Sequence, residues 1–323
     1  MISKFVNNEE ELHPNYVTGI VDGDGHFGIS LSKNSKARYG YTCTLVFTLV
    51  AEINSYNKIF IEKVQKFFGG IGKIYTSENI YVYKVVSLKE LKTIKAHFEK
   101  YSLQSTKQIH FLLWCQVFNI LESKEHRHYE GFIKILNIKA AFPKRLSKSI
   151  LDAHPDVVPI AKDEYKPIKT PLDPLWISGF VQADGTFGLG YGASRRYKLG
   201  YGCDPSFRVS QDVRDIILLE RIILTLGCGK IRGPYSDRAV CDIHVKGIKY
   251  ISDIIIPFFN KYPLHGAKSL DFQSFCRGIS IIENKGHLTQ NGLDQLKSIA
   301  FSMNSKRKFN SALTLRGSEE QED

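Results

Sequence analysis

One nine-residue pattern occurs twice in this 323-residue chain, at the same spacing from matching neighbours. The first copy is Val17-Thr18-Gly19-Ile20-Val21-Asp22-Gly23-Asp24-Gly25; the second is Ile177-Ser178-Gly179-Phe180-Val181-Gln182-Ala183-Asp184-Gly185. Each reads as an apolar helix with a glycine on one face, ending in a carboxylate followed by glycine. The match extends to Leu12-His13-Pro14 and Leu172-Asp173-Pro174, to Phe27-Gly28 and Phe187-Gly188, and to Gly40-Tyr41 and Gly200-Tyr201. Further on, Gly72-Lys73-Ile74 answers Gly229-Lys230-Ile231, and Lys100-Tyr101-Ser102-Leu103 with Lys107 answers Lys261-Tyr262-Pro263-Leu264 with Lys268. The chain is therefore a tandem duplication of one unit of ordinary domain size, with a period far too long for a solenoid.

The duplication offers two like acids, Asp24 and Asp184, at the same place in each half. Both stand at a helix C-terminus, where the dipole disfavours a carboxylate. Gly19 and Gly179, with the small residues Gly23 and Ala183, let two such helices pack closely. Brought together, the acids repel unless one is protonated or a divalent cation sits between them. Mg²⁺ suits this donor set, because it accepts few protein carboxylates and fills its other positions with water and phosphate oxygens. Mn²⁺ or Ca²⁺ fits the same ligands. The backbone carbonyls of Gly23 and Ala183 are further candidate donors. The implied chemistry is phosphodiester hydrolysis.

Composition points to a polyanion as partner. The formal net charge is +11, and since the last five residues carry four acids, the rest of the chain carries +15. Such charge favours nucleic acid through counterion release. No apolar run approaches the ~18 residues of a membrane span, so no membrane role is expected. The six cysteines lack CxxC spacing, which argues against zinc and a disulfide framework. The first eleven residues lack a signal-peptide core and are too acidic for a transit peptide.

The paired nonamers resemble the LAGLIDADG motif of homing endonucleases in their single-chain, two-motif form, over nearly the whole chain. The resemblance implies an α+β fold of two pseudo-symmetric αββαββα domains, with the motif helices packed at the domain interface and antiparallel sheets forming saddles for DNA. It implies a monomer that cuts both strands of double-stranded DNA across the minor groove and leaves short 3′ overhangs. It also implies that Lys107 and Lys268 approach the scissile phosphates, and that Gln211 orients the hydrolytic water. Ala51 stands where the first half should match Gln211, with Glu52 next, so unequal strand cutting is expected. The resemblance further implies an intron-encoded protein of an organelle genome, with a mitochondrial location; an unimported start is compatible with that.

Period-2 patterns predict strands over 27–31 and 39–50, and over 187–191 and 197–209. Helical patterns run over 56–68 and 214–226, each stopped by glycine. Short strands are expected at 73–75, 80–86, 230–232 and 239–245. The domains are expected at 10–142 and 171–310, joined by a linker over 143–170 and followed by a disordered acidic tail over 311–323.

Recognition is expected on the strands, because a two-stranded ribbon fits the major groove. Lys33, Lys36, Arg38, Tyr39 and Tyr41 line the first ribbon; Arg195, Arg196, Tyr197, Lys198, Tyr201 and Arg208 line the second. Lys73, Tyr75, Arg232 and Tyr235 extend the surfaces. Two domains of about one helical turn each imply a site of ~20 bp. Two rivals stay open: an intron-RNA maturase of the same fold, and a DNA-binding protein without catalysis. Asp22 and Gln182, two residues before the acids, are read as polar contacts rather than metal ligands.

Overall fold

A computed structural model describes residues 11–142, 146–161, 165–195, 197–235 and 239–309. Arg196 and the acidic tail lie outside the described residues. Each half begins with its motif helix, α1 (Pro14–Asp24) or α7 (Pro174–Asp184). Proline opens both helices, and the preceding side chain caps them: His13 Nδ1 accepts from Asn15 N at 3.2 Å, and Asp173 accepts from Leu175 N at 2.8 Å. Both helices run directly into a strand, with no loop between. Gly25 and Gly185 permit this, because a Cβ at either would collide with Val21 or Val181.

The first half continues through β1 (Gly25–Lys33), β2 (Tyr41–Glu52), α2 (Ser55–Phe67), β3 (Lys73–Ser77), β4 (Ile80–Val85), α3 (Leu88–Lys100), α4 (Lys107–Glu122) and α5 (Tyr129–Ala140). A short helix, α6 (Lys148–Ala153), follows. The second half runs through β5 (Gly185–Ala193), β6 (Tyr201–Asp212), α8 (Ile216–Leu226), β7 (Lys230–Arg232) and β8 (Val240–Lys246). Next, α9 (Ile248–Tyr250) passes through a π turn over Ile251–Ile255 into α10 (Ile256–Lys261). It ends with α11 (Gly266–Glu283) and α12 (Gln290–Phe301).

Both sheets are four-stranded and antiparallel, in the orders β1-β2-β4-β3 and β5-β6-β8-β7. Registers correspond, with Phe27 opposite Phe47 and Phe187 opposite Phe207. Those rings pack on Phe98, Phe111 and Trp114 in one core and on Phe259, Phe272 and Phe275 in the other. Each sheet thus buries one face under helices and turns the other outward, as its period-2 sequence requires.

The fold is the expected α+β arrangement; beyond the single closing helix of the αββαββα plan, the first half adds α4 and α5 and the second adds α11 and α12. The expected linker also holds structure: Ile150 of α6 packs with Phe132 and Leu136 of α5.

The motif helices form the interface between halves. A Cβ on Gly19 would collide with the Trp176 carbonyl, one on Gly179 with the Tyr16 carbonyl, and one on Gly23 with the Ala183 Cβ. No side chain fits at these crossings, so the contact requires the small residues at all three.

Candidate active site

The packing of α1 on α7 carries both motif acids to one point, at the junctions with β1 and β5. Asp184 Oδ2 lies 3.1 Å from where a Cβ on Gly23 would stand. Asp24 is open to solvent on one side but surrounded by protein elsewhere; Asp184 is half-buried. Burial first, then the neighbouring Asp24 charge, pushes the Asp184 carboxyl up to about 6. Burial also raises Asp24, against the pull of Lys107 and then Lys268.

Two lysines complete the cluster. Lys107 Nζ donates to the carbonyls of Val21 and Gly23, each at 2.8 Å. Lys268 Nζ donates to the Gly185 carbonyl at 2.7 Å. Burial pulls both ammonium groups below their usual range, while nearby carboxylates, including Asp24 and Asp184, oppose the shift. The result is two acids and two bases around a pseudo-twofold axis, at the end of the helix pair.

Gln211 stands beside Asp184, its Nε2 donating to Oδ2 at 2.7 Å. In register, Ala51 faces Tyr81 as Gln211 faces Cys241, so the first half has no side-chain amide here. Glu52 is close enough to raise Asp24 further.

This donor set suits a divalent cation. Among the described residues, no three His, Cys, Asp or Glu side chains gather as a metal cage. Two acids therefore leave most positions around such an ion to water and phosphate. The Gly23 carbonyl, a sequence-expected donor, already accepts from Lys107 and has one lone pair left. The Ala183 carbonyl is at the matching end of α7.

The expected contact residues divide between strands and turns: Lys33, Tyr41, Lys73, Tyr75, Tyr201, Arg208 and Arg232 lie in strands, whereas Lys36, Arg38, Tyr39, Arg195, Tyr197 and Lys198 lie in the turns that join β1 to β2 and β5 to β6. Lys33, Lys36, Arg38, Lys73, Tyr75, Arg195, Lys198, Tyr201, Arg208 and Arg232 are exposed. Tyr39 and Tyr41 are partly spent on packing: Tyr39 stacks on Phe132 at 5.2 Å, and Tyr41 meets the ring of His154. Arg38 Nη1 and Tyr39 Oη donate to the Arg127 carbonyl at 3.2 and 3.3 Å. Tyr197 lies over Gly202, and Tyr235 Oη donates to Asp242 at 2.8 Å.

The registers reveal an outward row of which sequence reading found only Lys73 and Arg208. His26, Thr48, Lys84 and Lys73 lie side by side across the first sheet; Thr186, Arg208, His244 and Lys230 match them across the second. Alternation along β8 was the available signal, since Asp242, His244 and Lys246 alternate with Cys241, Ile243 and Val245; β4 offers none, because Lys84 shares its phase with Ile80 and Val82. Burial lowers the His244 imidazole's proton affinity, and the nearby Arg232, Lys246 and Arg208 lower it further, marking a dense cationic patch.

Comparison with known proteins agrees with this geometry. The LAGLIDADG endonuclease model matches the chain twice, over residues 17–118 and 177–279, once per half. The chain belongs to the LAGLIDADG endonuclease family. Its fold superposes on the LAGLIDADG homing endonuclease I-SmaMI bound to cleaved DNA, with a TM-score of 0.87 and 33% identity, covering 92% of this chain and 98% of that one. I-SmaMI has also been solved on uncleaved target DNA in the presence of calcium ions. Two Neurospora crassa proteins, probable intron-encoded endonucleases 3 and 2, are 32% and 27% identical, each over 90% of this chain. The LAGLIDADG chain spans 54% and 65% of their lengths. No helix among the described residues is long and apolar enough to cross a membrane.

Proposed function

We propose that this protein is a site-specific homing endonuclease that hydrolyses both strands of double-stranded DNA. The observation that carries this reading is the meeting of Asp24 and Asp184 at the end of the α1–α7 pair, with Lys107 and Lys268 beside them. Asp24 and Asp184 would hold a divalent cation, Mg²⁺ by preference, with the Gly23 and Ala183 carbonyls as further donors. The ion, when bound, supplies Lewis-acid stabilisation of the phosphate and activation of water. Lys107 and Lys268 face the scissile phosphates and stabilise the charge that develops on them. Gln211 orients the attacking water in its half-site.

The outward rows of the two sheets read the target. Their side chains differ, so the site is asymmetric, about 20 bp long, and cut across the minor groove with short 3′ overhangs. The protein works as a monomer, with units at 10–142 and 171–310 joined by residues 143–170. An intron-encoded origin and a mitochondrial location accord with the fungal relatives.

Cleavage of a randomised duplex library with Mg²⁺, followed by sequencing of the cut ends, tests the proposal. One long, staggered site supports it. Folded protein that cuts nothing and binds intron RNA tightly would replace it with the maturase reading.

A further inference from the structure

The two lysines of the central cluster are held in different ways. Lys107 opens α4, and the three residues before it all give their backbone N–H groups to buried carboxylates. Gln104 N and Ser105 N donate to Asp22 at 2.6 and 3.2 Å; Thr106 N donates to Asp215, from the other half, at 2.7 Å. The hydroxyls of Ser105 and Thr106 add bonds of 2.6 and 2.9 Å to the same two acids. Ser105 Oγ in turn accepts from Lys107 N at 3.1 Å. Asp22 also receives the Trp176 indole N–H at 3.0 Å, across the interface. Both carboxylates are buried, at 4% and 7% exposure.

Lys268 has a looser mount. The corresponding loop gives His265 N to the Gln182 Oε1 at 3.2 Å and Ala267 N to the Asn57 Oδ1 at 2.9 Å. These acceptors are neutral amides, and Gly266 replaces the serine. Burial raises the Asp22 and Asp215 carboxyls, and the hydrogen bonds from this loop oppose that shift by favouring the ionised form; a hydrogen bond to an ionised acceptor is about twice as strong as a neutral one.

We propose that Asp22 and Asp215 are positioning residues for Lys107, and that their tighter grip sets the relative rates at which the two strands are cut. The inference rests on the reading of Lys107 and Lys268 as phosphate-facing groups. One end of α1 fixes Lys107 twice. The Asp22 side chain holds the backbone ahead of it, and the carbonyls on either side of Asp22 hold its ammonium. Asp215 makes that arrangement depend on docking of the second half.

Two measurements on the full-length protein test this. Amide exchange without DNA should show the segment 104–107 better protected than 265–268. Asp215→Asn should speed exchange in the first segment about 10-fold and leave the second alone. Equal protection of the two segments in the wild type would overturn the proposal.

The second uses Mg²⁺ and a duplex bearing the selected site, labelled on each strand. Asp22→Asn and Asp215→Asn should slow one strand about 10- to 100-fold, with the other strand and DNA affinity nearly unchanged. In a Lys107→Ala background, Asp215→Asn should add no further slowing. Equal slowing of both strands, or full additivity with Lys107→Ala, would show a merely structural role. If Asp22→Asn fails to fold, Asp215→Asn and Thr106→Val decide the matter. A Lys107→Ala protein that cuts both strands normally would instead remove the catalytic reading of the lysine, while amide exchange still decides whether the grip exists.

Discussion

The first half carries Ala51 in its central strand where the second has Gln211, and holds its lysine loop with Asp22 where the second uses Gln182. It half-buries His97 where the aligned residue of the second is Phe258. Along β1 it leaves a cavity of about 670 Å³, lined in part by His110, Phe142 and Ile150. At the matching edge of the second half, Asn304 Nδ2 donates to the Phe187 carbonyl and Arg307 pairs with Asp271 at 2.7 Å. What the halves share is different in kind. Gly19 and Gly179 are fixed by backbone approach across the pseudo-twofold axis, and Gly25 and Gly185 by the tight helix-to-strand junction within each half. Polar partners around the axis are free to diverge, because each has to satisfy only its own neighbours.

The largest break in this comparison would come at the shared glycines. Gly19→Leu forces a side chain into the Trp176 backbone and should cost more than about 4 kcal/mol, or prevent folding, as read by thermal or denaturant unfolding. Gly179→Leu should do the same, since the crossing is symmetric. Tolerance of either would mean that the α1–α7 contact is not the interface of the folded protein.

The next effect separates the halves by pH. Burial holds the His97 imidazole down at about 4, against 6.5 when exposed. The unfolded chain therefore takes up a proton below pH 6.5 that the folded chain refuses until about pH 4. Stability is unaffected above that window and falls through it as pH drops, by up to about 3 kcal/mol at the bottom. His97→Phe, which copies Phe258, should flatten this part of the pH–stability curve. His265, also held at about 4, leaves a second contribution at the interface.

Asp184 has the opposite sign. Its folded value of about 6 lies above the unfolded 3.8, so its contribution is present at low pH and is lost as pH rises through 6. At pH 7.5 in EDTA, Asp184→Asn should raise stability by about 1–2 kcal/mol after allowance for its open side. In the wild type, added Mg²⁺ should raise the melting temperature more at pH 7.5 than at pH 5.5.

The smallest effect sharpens the asymmetry itself. Gln211→Ala makes the half-sites alike at this position and should slow one strand about 10-fold, moving the ratio of the two nicking rates. An unchanged ratio would mean that Glu52 or another group already offsets Ala51.

Much of this was legible in the sequence because the strongest constraints are local. A proline-opened apolar helix, a glycine face, a terminal acid and an alternating strand lie within 20 residues of each other. The repeat then supplied the second copy and the axis between them. Among the added helices, α5 and α12 were harder to see. The turn after α4 is made by Lys124 in the left-handed region, at φ 65°, with neither glycine nor proline to mark it. Lys285 repeats that conformation, at φ 59°, after α11. Asp22 was correctly read as a polar contact, but its partners lie 82 to 154 residues away, beyond any local pattern. Likewise, the row His26, Thr48, Lys84 and Lys73 exists only once four strands are in register.

On the proposed function, the two motif acids act together on DNA. The direct test compares wild type, Asp24→Asn and Asp184→Asn on one duplex carrying the selected site, with Mg²⁺, following cutting and binding separately. The account predicts that the wild type cuts both strands, while each variant binds with similar affinity and cuts at least about 1,000-fold more slowly. Variants that cut as fast as the wild type would contradict it.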